Sequence, residues 1–268
     1  MRETWSPVSF DSRRVNAVAV PVVAALSILL TLSPLGFMMD GFHVWIHEVG
    51  HASVSWLSGR PALPLPLGWT HVEQDKSLAL YAGVLFLLCA LGSAGWSERR
   101  LGPIVLSAAL IGAQTYMTWV LPEDRARLWM IFGGVGGEFW VAAAMVALFY
   151  FEFPEKFRWG ACRYGVLFIG AGSFYKSYAL WRLILRGREG IPYGSMINGE
   201  DDGGGDMDIL RNEYGWTQHH IIHAYAHLAN VCLGAIIVTY LVFSLGLNRV
   251  FNPWLGRLFS VGLTEPEA

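Results

Sequence analysis

Residues 15–58 read VNAVAVPVVAALSILLTLSPLGFMM and then DGFHVWIHEVGHASVSWLS. The first run, Val15 to Met39, is interrupted only by Asn16, a few hydroxyls and two prolines. A hydrocarbon core about 30 Å thick needs roughly 20 apolar residues in a helix, so this run is long enough to cross one. Arg13 and Arg14 before it look like the start of a signal peptide. The apolar stretch is too long for that and no small-residue cleavage site follows, so a retained first span is expected. The second run, Asp40 to Ser58, is too polar to face lipid and suits the interior of a bundle. A lipid-competent helix leading into a polar one predicts a membrane helical bundle with chemistry inside it.

The rest of the chain agrees. Of 268 residues, 54% are hydrophobic and 15% charged, and mean hydropathy is +0.40. Soluble domains carry about 25% charged residues, so disorder, a coiled coil and a disulfide scaffold are excluded. Further apolar runs cover Leu78 to Trp96, Gly102 to Leu121, Leu128 to Phe151, Ala161 to Leu185 and Ile221 to Leu247. The expected fold is therefore all-α, a polytopic bundle of six spans with Asp40 to Ser58 as a seventh, buried helix. The whole chain, 1–268, reads as one integral membrane domain. It has tails at 1–14 and 249–268 and a polar, acidic, glycine-rich loop at 186–218. Lys and Arg are spread thinly over nearly every connection, so the charge bias leaves orientation open.

A net charge of −2 gives no electrostatic case for nucleic acid. Cys89, Cys162 and Cys232 lie far apart with no CxxC, which excludes a thiolate zinc site and a redox motif. The chemistry must come from other residues. His47-Glu48-Val49-Gly50-His51 sets two imidazoles one helical turn apart on one face, where they can ligate one zinc ion. Glu48 stands beside that ion without needing to ligate it, and can take a proton from bound water. Chance alone produces an HExxH in about one sequence in a hundred of this composition.

The run from His47 to Ala52, then Leu57-Ser58-Gly59-Arg60 and the Pro-rich apolar stretch Pro61 to Gly68, resembles the site-2 protease family of intramembrane zinc metalloproteases. The resemblance implies zinc-dependent hydrolysis of a peptide bond within or near the bilayer, with Zn2+ as cofactor. It implies as partners the lipid bilayer and a membrane-associated protein or peptide substrate. A multi-pass protein of the cell membrane is expected; a homo- or hetero-oligomer stays open.

A catalytic zinc needs three protein ligands and an open position. That family takes its third from an Asp in an L-D-G motif, and the nearest match here is Asn198 through Asp202-Gly203-Gly204. Glu138 is the preferred candidate, as the only acid deep in an apolar span. It follows Gly133-Gly134-Val135-Gly136-Gly137, whose glycines permit close helix approach. Lys176 is an alternative partner for Glu138, or a group that could neutralise an oxyanion. Asp206 and Asp208 compete for the third position, with a solvated loop as the plain reading of both.

His219, His220, His223 and His227 form a second cluster at the start of the last span. They can complete the first metal site, build a second one, shuttle protons, or simply meet water and headgroups. Eight histidines also invite comparison with membrane di-iron oxidases and hydroxylases, although the H-x-x-H-H spacing is missing and His71 stands alone. A non-catalytic subunit or assembly factor, its buried polar groups only joining helices, is the third class.

Overall fold

The computed structural model describes residues 9–10, 12–153, 160–194 and 204–247. Helix α1 (Arg13–Leu32) starts at Ser12, whose hydroxyl accepts from the Val15 amide. The expected single span to Met39 is broken. Ser33 turns to an extended conformation (ψ 168°) before Pro34, a 3₁₀ turn Pro34–Gly36 follows, and α2 (Phe37–Leu57) begins. Proline disfavours helical backbone at the residue before it, which places the break at Ser33. The polar helix expected at Asp40 to Ser58 thus takes Phe37 to Met39 from its apolar neighbour.

The Pro-rich stretch after α2 forms an antiparallel hairpin, β1 (Ala62–Leu65) and β2 (Trp69–Val72), pairing Leu63 with His71 and Pro64 with Thr70. Gly68 takes φ +81° at its turn, backbone that a residue with a Cβ resists. Helices α3 (Leu78–Ser97) and α4 (Leu101–Thr115) make the next pair, α4 continuing through a π-helical turn at Tyr116–Val120. Then come α5 (Glu123–Leu148), α6 (Cys162–Leu185), the short α7 (Asp206–Asn212) and α8 (Gln218–Ser244). The loop expected at 186–218 therefore contains a helix.

Five helices are long and apolar enough to cross a membrane: α1, α3, α4 with its π turn, α5 and α8. Six were expected. The difference is α6, which carries Arg163, Lys176 and Arg182. The architecture is an all-α helical membrane bundle, with the hairpin as its one strand element among the described residues.

Helix α5 is its centre. It packs most extensively against α2 and α6, and further along against α7 and α8. Phe132, Phe139, Trp181 and Tyr225 anchor the core there, with Phe132 stacked on Tyr225 at 4.6 Å. The α2–α5 crossing is glycine on glycine. A Cβ on Gly50 would land on the Gly133 carbonyl and 2.7 Å from Gly137 Cα. The two backbones are thus close enough for side chains of α2 to reach across α5. Helix α3 is the opposite case: apolar all round, with Gly95 its only buried residue, it suits lipid.

Candidate metal centre

His47 and His51 lie on the face of α2 that meets α5. Each ring is fixed by its Nδ1. That of His47 lies 2.7 Å from Glu138 Oε1, and that of His51 lies 2.7 Å from the Met130 carbonyl oxygen. Both partners are acceptors, so each Nδ1 carries the hydrogen and donates it. In the neutral imidazole each Nε2 then carries a lone pair. The two Nε2 atoms converge at 3.2 Å.

The third atom at that point is not from Glu138. It is Asp206 Oδ2, 3.2 Å from His47 Nε2 and 3.3 Å from His51 Nε2. Asp206 opens α7, which packs against α5 beside the glycine run. Glu138 does reach His47, but on the ring's far side. Its other oxygen accepts from Ser177 Oγ at 2.5 Å and lies 3.5 Å from His43 Nε2. Among the described residues, His47, His51 and Asp206 are the group of three whose ligand atoms lie close enough together to hold one metal ion.

The three converging atoms fit a cation. All are acceptors, and Asp206 Oδ2 is buried with no hydrogen-bond partner. Glu48 and Glu138 are buried nearby, so three carboxylates share one small region. Unpaired buried charge is expensive, and a divalent ion among these groups offsets much of that cost. Gly134 keeps the space open: a Cβ there would meet Asp206 Oδ2 and come within 2.5 Å of both Nε2 atoms.

Glu48 faces the hairpin. Its Oε2 accepts from Thr70 Oγ1 at 2.5 Å, and the same hydroxyl lies 3.1 Å from the Glu48 carbonyl. A pocket of about 610 Å³ joins these groups. Its walls include Trp69 and Thr70 of β2, Arg127 and Met130 of α5, and Lys176 of α6.

The remaining candidates fall elsewhere. Lys176 pairs with Asp40 at 2.6 Å, not with Glu138. Asp208 accepts from the Gly194 amide at 2.6 Å and so ties the loop before α7. Asp202 lies outside the described residues. His219, His220, His223 and His227 are exposed on α8, and none lines the pocket. A centre drawing on both histidine groups, as the di-iron reading needs, is not what the fold assembles.

Thr70, Ser177 and the Met130 carbonyl had no sequence signal, since each acts through a contact between distant elements. Asp206 had a faint one, as an acid among glycines. Comparison of the chain with protein-family models, with curated proteins and with solved structures gives no match.

Proposed function

We propose that this chain is a multi-pass zinc metallopeptidase of the cell membrane, hydrolysing a peptide bond within or near the bilayer. The observation that carries this is the convergence of His47 Nε2, His51 Nε2 and Asp206 Oδ2 on one point, with each imidazole held at its Nδ1 by an acceptor. Two His and a carboxylate form a known catalytic zinc set that leaves a position open. Bound by these residues, zinc would supply a water of pKa about 7 and Lewis-acid polarisation of a carbonyl.

The chain's own residues divide the remaining work. Glu48 shares the HEVGH turn with the ligands, and its carboxylate accepts a proton and returns it to the leaving amine. Thr70 holds that carboxylate by its hydroxyl. Glu138 and the Met130 carbonyl hold the two rings in the ligating tautomer, and Ser177 holds Glu138. A helical substrate hides its amides, so a segment must enter the pocket extended.

Elemental analysis of the purified protein tests the reading. One zinc per chain is expected. It should be lost in His47→Gln, His51→Gln and Asp206→Asn and kept in Glu48→Gln, which should no longer cleave a panel of transmembrane peptides. A wild-type protein without zinc, or an active Glu48→Gln variant, refutes it.

A further inference from the structure

The second histidine group takes no part in the site above, and packing does not explain it. His219, His223 and His227 fall on successive turns along one side of α8, and all three are exposed. The other side of that helix supplies Ile221, Tyr225 and Ala229 to the core. Bundle stability therefore does not call for imidazoles at these positions.

Two of the rings are already paired. His219 and His223 lie with centroids 4.2 Å apart and planes at 37°. By comparison, His47 and His51, whose Nε2 atoms converge, have centroids 4.9 Å apart. Among the described residues, neither His219 nor His223 has a side-chain hydrogen bond or ion pair, so their four ring nitrogens are open to an outside partner. The backbone beneath them is well defined: Thr217 Oγ1 accepts from the His220 amide at 3.2 Å, and the His220 ring packs on Trp216 at 4.2 Å. His220 is thereby turned away from the pair.

We infer that His219 and His223 form a second, surface-exposed site for a divalent transition metal at the start of α8, with water completing its coordination. Paired imidazoles, with no carboxylate in an ion pair with them among the described residues, suit zinc, nickel and copper rather than magnesium or calcium, and copper(II) most tightly. The positive end of the helix dipole opposes a cation here, but only weakly at an exposed position, and salt screens it. Two ligands and several waters make an exchangeable site, unlike the three-residue set of His47, His51 and Asp206.

The test uses the full chain in lipid nanodiscs, purified without a polyhistidine tag and titrated with Cu2+. The wild type should bind one more equivalent than His219→Gln/His223→Gln, and the same difference should appear on a His47→Gln/His51→Gln background. The outcome is therefore independent of the first site. The lost equivalent should carry nitrogen hyperfine structure in its electron paramagnetic resonance spectrum. Single substitution of either residue should weaken it by about tenfold or more, equivalent to about 1.4 kcal/mol or more. His220→Gln should leave it unchanged. Full copper binding by the double variant overturns the assignment, and so does an equal loss in His220→Gln. The side chains of this second group are exposed, and matched melting curves confirm that the variants fold.

Discussion

Gly134→Ala adds one methyl group at the point where His47, His51 and Asp206 converge. The new Cβ would lie 2.5 Å from each Nε2, against 3.4–4 Å for ordinary contact, and would also meet Asp206 Oδ2. Each ring must retreat by about 1 Å, whereas metal–ligand distances tolerate about 0.2 Å. Neither ring is free to swing, because Glu138 and the Met130 carbonyl hold the opposite nitrogens. Zinc affinity should fall by about 100-fold or more, at the top of or beyond what losing an outer partner costs. The helix itself should gain, since alanine is favoured over glycine by about 1 kcal/mol in a helix interior. The expected product is a folded, helical, metal-depleted protein. Zinc content after dialysis against a graded chelator series, with circular dichroism on the same sample, measures both. Gly165→Ala is the control, since a Cβ there meets nothing within 4 Å. Wild-type zinc retention in Gly134→Ala would show that the three atoms do not hold the ion together.

Other substitutions separate the remaining roles. Glu138→Gln should keep zinc but weaken it about 10–100-fold, because the carboxylate orients His47 from outside; Asp206→Asn should lose it under the same chelator titration. Thr70→Val leaves a buried Glu48 oxygen without its donor and should cost about 1–3 kcal/mol in denaturant melts, with Thr70→Ser restoring most of it. Gly50→Ala forces α2 from α5 and should destabilise by about 1–3 kcal/mol, read as a lower melting temperature. Lys176→Met should cost no more than about 1 kcal/mol, since its pair with Asp40 is largely exposed.

The helices are readable because each apolar run is a local signal whose length matches a bilayer. That signal misleads where a single residue overrides it. Pro34 cuts the first run, and α6, with its glycines, hydroxyls and cations, is less apolar than the five candidate spans. The hairpin at Ala62–Val72 is hidden because its strands are short and rich in proline, which reads as a loop until the partner strand is known.

The site shows the same division. Two imidazoles four positions apart lie on one face of any helix, so sequence alone determined the His47–His51 pair and the place of Glu48 beside it. Choosing between Glu138 and Asp206 was another matter, because both lie far along the chain and spacing says nothing about either. The tertiary structure separates the two by ring orientation. Glu138 comes to the Nδ1 side of His47, and Asp206 comes to the Nε2 side across the gap left by Gly134. A carboxylate's role depends on which nitrogen it faces, and only the packing of α2, α5 and α7 sets that.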